Sequence, residues 1–177
     1  MRNGIPSHGI QERTCRTRGA PPNDSPNPPN STLSPRRCSV NVVGAFRCAR
    51  ALAPALRASR GAIVNIASIS GHRAGGSSIA YGVSKAALLQ LTRNLASALA
   101  PEVRVNALAP GTVATRWQTA LRGEERFARR ARTERATVPL RTTATPDHIA
   151  QAVLTLLTMD LVTGESLIVD GGKHIRY

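Results

Sequence analysis

The pattern of apolar and polar positions changes abruptly at Asn41. In NVVGAFRCARALAPALRAS, Val42, Ala45, Phe46, Ala49, Leu52 and Leu56 fall at helical spacing, which predicts a helix over 41–59. Pro54 is expected to kink or break it locally, because its ring removes an N–H and crowds the preceding turn; Gly61 ends it. AIVNIAS (62–68) is a short β-branched run between turn signals and reads as a buried strand. ISGHRAGGSS, with its three glycines, is a loop. Leu88, Leu91, Leu95 and Leu99 then recur every three or four residues, predicting a long amphipathic helix over 79–100 that stops near Pro101. EVRVNALAP reads as a second strand ended by Pro110-Gly111. The segment from Arg116 to Arg141 predicts one or two surface helices. In TATPDHIAQAVLTLLT, Thr145 is a fitting N-cap, Pro146 suits the first helical position and Asp147 the first turn. ESLIVDGG is a third short strand.

The order helix, strand, helix, strand, helices, helix, strand implies parallel pairing with right-handed crossovers. The expected class is α/β, with three strands. Residues 1–39 depart from this pattern. GAPPNDSPNPPNSTLSPRR is rich in Pro, Asn and Ser without apolar periodicity. Such a stretch cannot bury enough apolar surface to offset its ordering entropy, so 1–39 is expected to be a disordered Pro/Arg-rich segment and 40–177 the folded part.

Charge adds one question. The chain carries a formal net charge of +14, and eight arginines lie between Arg116 and Arg141. Such a segment could attract nucleic acid or an acidic partner, but no interleaved aromatics or nucleic-acid motif accompany it. A solvated helix face is the preferred reading, and no nucleic acid is expected. The three cysteines, Cys15, Cys38 and Cys48, include no C-x-x-C pair, and the four histidines are scattered, so neither a disulfide framework nor a metal site is indicated. With no apolar run long enough to span a membrane, the expected location is cytoplasmic.

The chemistry concentrates in SSIAYGVSK. The chain has two lysines against 22 arginines, so Lys85 four residues after Tyr81 is not routine background. On a helix the two share one face, with Cβ atoms about 5–6 Å apart. A tyrosine hydroxyl ordinarily titrates near 10, and a nearby ammonium favours its phenolate. Such a pair can give or take a proton at an alcohol or carbonyl oxygen. Ser68, at the carboxyl end of a predicted parallel strand, stands where open α/β sheets bind ligands. Taken alone, Tyr81 and Lys85 also fit a helix-surface pair, Ser68 a strand end, Asn41 an N-cap and Thr115 a cap for the next helix.

Together these residues resemble the C-terminal part of the short-chain dehydrogenases/reductases. YGVSK matches the Y-x-x-x-K motif, and Ser68, thirteen residues earlier, occupies the place of the catalytic serine. NVVGAF matches N-x-x-G at Asn41, VRVNALAPGTVAT matches N-x-x-x-P-G-x-x-x-T, and VTGESLIVDGG matches the T-G-x-x-x-x-V-D-G-G ending. The resemblance covers Asn41 to about Gly172. It implies a partial Rossmann-type doubly wound parallel sheet, comprising its last three strands and their helices. It implies Tyr81 as general acid/base, Lys85 as its partner and a ribose ligand, Ser68 as hydrogen-bond donor to the reacting oxygen, and Asn41 as holder of a relay water. Pro110, Gly111, Val113 and Thr115 would lie against the nicotinamide end of NAD or NADP. The implied reaction is hydride transfer to or from a carbonyl/secondary alcohol. The substrate would be a small molecule, free or linked to a carrier protein as in 3-oxoacyl-carrier-protein reductases. The implied assembly is a homo-oligomer through helices 41–59 and 79–100.

The family's T-G-x-x-x-G-x-G, whose glycines admit a pyrophosphate at a helix N-terminus, does not occur in the 177 residues. The expectation is therefore a truncated or frame-shifted chain with impaired cofactor binding, its strand 62–68 left as an exposed apolar edge. The alternative is a non-catalytic remnant that assembles with a full-length partner; a basic nucleic-acid-binding protein ranks last. No G-x-S-x-G elbow supports a serine hydrolase.

Overall fold

A computed structural model of the chain describes residues 35–74, 78–116, 120 and 123–176. The expected disordered segment lies, up to residue 34, outside the described residues. Pro35–Cys38 form a helical turn that runs into a π-helical stretch, Ser39–Gly44, and then into α1, Ala45–Ala58. The remaining main elements are β1 (Ala62–Ile66), α2 (Ile79–Leu99), β2 (Arg104–Pro110), α3 (Glu124–Thr137), α4 (Pro146–Thr158) and β3 (Ser166–Val169).

The strands form one parallel sheet in the order β1-β2-β3. β2 lies at its centre and is buried from Val105 through Pro110. Helices α1 and α2 cover one face, where Ala49 and Ala53 meet Leu95, Ala96, Leu99, Val103 and Val105. Helix α4 covers the other, where Ala152 and Leu156 close over Leu108. Each large apolar side chain so buried contributes about 2 kcal/mol.

α1 continues through Pro54, against the expected break. Arg50 and Pro54 are both exposed, so the turn that lacks the Pro54 N–H lies on the water side. Ala49 and Ala53 hold the inner side against α2; packing prevails over the local penalty. The cap reading of Asn41 also requires correction. Asn41 sits inside the π-helical stretch, not at a helix start, because helical backbone already begins at Pro35.

Buried polar side chains fasten the layers, as they must when removed from water. Asn65 on β1 donates to Thr92 Oγ1 on α2 at 2.9 Å, and Thr92 donates to the Leu88 carbonyl. Asn106, fully buried on β2, donates to the Val162 carbonyl at 2.8 Å and accepts from the Glu165 N–H at 3.1 Å. Arg104 places its guanidinium on the Leu156, Leu157 and Met159 carbonyls, a cation on the negative end of α4. Among the described residues β1 pairs only with β2, and Ile66 is 45% exposed. The strand is half-buried rather than fully buried, and among the described residues its unpaired side is an apolar edge.

Candidate active site

The carboxyl ends of the strands meet at one edge. Ile66 pairs with Leu108, and Pro110 with Val169. Ser68 and Pro110 thus stand at the same level of adjacent strand ends, two residues beyond the Ile66–Leu108 pair. Ser68 is buried and caps a short 3-10 turn, Ile69–Gly71. Its Oγ accepts the Ser70 N–H at 3.2 Å. A hydroxyl has one donor and two acceptor positions, so this bond leaves the Ser68 O–H as a donor.

That turn lies directly on α2. A Cβ at Gly71 would fall 2.8 Å from the Lys85 carbonyl carbon and 2.9 Å from both Lys85 O and Ala86 N, all backbone atoms. Only glycine permits this approach, which brings the Ser68 turn against the turn of α2 that carries Lys85. The loop beyond is tied down on its far side. His72 Nε2 is 3.0 Å from Ser166 Oγ, and Arg73 donates to the Lys173 and Arg176 carbonyls. Burial, with Arg93 and His174 nearby, pushes the His72 imidazole below its ordinary value.

Tyr81 and Lys85 occupy the first two turns of α2. Ser78 is the N-cap, its Oγ accepting the Tyr81 N–H at 3.2 Å, so Tyr81 sits where the helix dipole is positive. Lys85 Nζ lies 5.7 Å from the centre of the Tyr81 ring and donates to the Ile66 carbonyl at 2.7 Å. Burial pushes the Lys85 ammonium below its ordinary range. Asn41 donates from Nδ2 to Ser84 Oγ at 3.0 Å, and Ser84 donates to the Tyr81 carbonyl at 2.8 Å. The structure thus joins Asn41, Tyr81 and Lys85 through α2, and Ser68 to the same turn through Gly71.

Pro110–Thr115 leaves the central strand. The Gly111 N–H donates to Val169 O at 2.9 Å, and a Cβ at Gly111 would meet Asp170 Cβ at 2.6 Å. Val113 bridges to Ala144, and the Ala114 N–H donates to Ala144 O. Thr115 follows, partly buried. These residues share the carboxyl edge with Ser68. Sequence reasoning missed Ser84, inside the YGVSK motif; Ser78, whose place three residues before Tyr81 is an N-cap signal; and Gly71, read only as loop.

The donor set suits one end of a nicotinamide dinucleotide. Lys85 Nζ reaches the carboxyl end of β1 at the Ile66 carbonyl, Ser68 follows two residues on, and the Tyr81 ring lies 5.7 Å from that ammonium. The T-G-x-x-x-G-x-G motif that would hold the pyrophosphate does not occur in the 177 residues.

Known proteins resemble this chain in sequence and in fold. A family model described as enoyl-(acyl carrier protein) reductase matches residues 35–174. The short-chain dehydrogenase/reductase homolog YusR of Bacillus subtilis is 42% identical over 133 residues, 75% of this chain and 98% of its own length. A 3-oxoacyl-[acyl-carrier protein] reductase from Brucella melitensis, solved with NAD bound, superposes with a TM-score of 0.66 at 30% identity. That match covers 80% of this chain and 52% of the other. ElxO with NADP bound gives 0.69 at 28% identity, covering 77% and 56%. The chain spans about half the length of most curated relatives it matches, YusR excepted. No helix among the described residues is long and apolar enough to cross a membrane.

Proposed function

We propose that this chain, which belongs to the short-chain dehydrogenase/reductase family, carries the proton-transfer half of an NAD(P)-dependent oxidoreductase acting on a carbonyl or secondary alcohol. The observation that carries the reading is the Gly71 contact, which sets the Ser68 turn on the backbone of Lys85. Ser68 donates its free O–H to the reacting oxygen. Tyr81 gives that oxygen its proton in reduction and takes it back in oxidation. Lys85 and the positive end of α2 favour negative charge at that place. Asn41 steadies the tyrosine turn through Ser84. A nicotinamide dinucleotide, NAD or NADP, supplies or accepts the hydride at the carbon. Pro110, Gly111, Val113 and Thr115 line its nicotinamide end, and Lys85 its ribose. Without the pyrophosphate turn, the chain alone binds the dinucleotide weakly. The reductase relatives support a small ketoacyl-type substrate, free or carrier-linked, and the proposed location is the cytoplasm. Exposed Val43, Phe46, Leu52, Ile79 and Val83 support self-association through α1 and α2.

The test is nicotinamide absorbance during reduction of a β-keto ester at high NADPH. The expected rate is low, rises with cofactor without saturating, and disappears in Tyr81→Phe while the melting temperature holds. A rate untouched by Tyr81→Phe overturns the reading, and saturation at micromolar NADPH overturns the weak-binding clause.

One observation favours a second reading, a remnant that assembles with a full-length relative: the apolar edge of β1. Co-purification with such a relative, without turnover by the chain alone, supports it.

A further inference from the structure

Among the described residues of α3, only Glu134 is buried, at 6% exposure. It lies in a helix that otherwise presents Arg126, Arg129, Arg130, Arg132 and Arg135. Its Oε1 accepts from Lys173 Nζ at 2.5 Å, from the Thr112 hydroxyl at 2.6 Å and from Arg130 Nε at 3.3 Å. Three segments remote in sequence converge on this one oxygen: α3, the loop after β2 and the C-terminal turn. The turn is itself held, because Asp170 accepts the Gly172 N–H at 2.9 Å and the His174 N–H at 2.7 Å. A surface ion pair with Arg130 alone would need no burial. Burying a carboxylate is costly unless it is fully paired, and this one fixes three segments at once.

We propose that Glu134 is a positioning residue: through Thr112 and Lys173 it locks the loop after β2 and helix α3 in one arrangement. The inference rests on the proposed function only in taking that loop as the segment facing the nicotinamide. The latch itself is testable without cofactor.

Burial pushes the Glu134 carboxyl up, but the Lys173 and Thr112 hydrogen bonds and the charges of Lys173 and Arg130 outweigh it, holding the group below its ordinary range. The same turn also carries Asp170, His174 and Arg176, whose guanidinium donates to the Thr137 carbonyl at the end of α3. A carboxyl lowered in the folded state stabilises the latch above its unfolded value. That stability is lost as pH falls through the folded value.

The experiment uses the full chain without ligand. Trypsin nicking is mapped by mass, since α3 is rich in arginine, and amide exchange of α3 is followed against pH. Glu134→Ala is expected to speed cleavage within Arg126–Arg135 by roughly ten- to a hundredfold, with Glu134→Gln intermediate. Thr112→Val and Lys173→Met act in the same direction, and the Glu134→Gln/Lys173→Met double variant costs less than the sum of its singles. Protection of α3 falls with pH in the wild type and stays flat in Glu134→Gln. Unchanged nicking together with additive single variants overturns the latch. If Glu134→Ala does not fold, Thr112→Val and Lys173→Met decide the same question.

The positioning role is read from the NADPH-dependent rate, which is expected to drop in Glu134→Gln and return in Glu134→Asp. A latch confirmed by nicking with rates equal in all variants overturns that role. A wild type without any turnover fails the proposed function, while nicking still decides the latch.

Discussion

Gly71→Ala isolates the contact that assembles the site. The added Cβ would lie 2.8 Å from Lys85 C and 2.9 Å from Lys85 O and Ala86 N, where ordinary contact begins at 3.4 Å. The deficit is 3.4 − 2.8, about 0.6 Å, and 3.4 − 2.9, about 0.5 Å. All three neighbours are helix backbone, so no side chain can swing aside; the Ser68 turn and α2 must part. Backbone conformation is no obstacle, because Gly71 is not among the residues with positive φ. The effect is therefore steric. Overpacking of this kind costs about 1–3 kcal/mol. A displacement of 1 Å at a reacting centre costs about a hundredfold in rate, so half of that costs roughly tenfold. Gly44→Ala is the control: it is helical, its nearest neighbour is the Ser39 carbonyl oxygen at 3.6 Å, and it is expected to gain about 0.5 kcal/mol. Urea unfolding by circular dichroism, with turnover at high NADPH, separates the cases. Wild-type unfolding and turnover in Gly71→Ala, or an equal loss in Gly44→Ala, would refute the claim that this approach positions Ser68.

Two further substitutions probe the frame. Arg104→Met removes the guanidinium from three carbonyls at the end of α4 and is expected to cost about 2 kcal/mol in urea unfolding; a loss below measurement would show those carbonyls content with water. Ile66→Lys places a charge on the half-exposed edge of β1 and is expected to reduce light scattering on heating, with stability changed by about 0.5 kcal/mol or less. Unchanged scattering would mean that association uses another surface.

Much of the site was legible because its parts are local. Tyr81 and Lys85 are related by one helical turn, Ser68 by the end of a β-branched run, and Thr145-Pro146-Asp147 by the chemistry of a helix start. Thr145 is indeed the N-cap, with His148 completing a capping box. Other features carried no local signal. Glu134 looks like one acid on an arginine-rich surface until Lys173, 39 residues away, comes within 2.5 Å. Asn106 is legible as the first residue of the N-x-x-x-P-G match, but only the fold shows that it binds the 162–165 segment with both ends of its amide.

The sequence by itself determined the alternation of helices and strands, the motif residues and their order, because hydrophobic period, caps and turn residues act within a few positions. Only the tertiary structure decided that α1 passes through Pro54 and that Asn41 lies within a π-helical stretch. It also decided that Gly71 brings Ser68 onto the Lys85 turn, and that a single buried carboxylate gathers three distant segments. These depend on which surfaces meet, and burial and close approach are properties of the folded neighbourhood, not of the neighbouring residues in the chain.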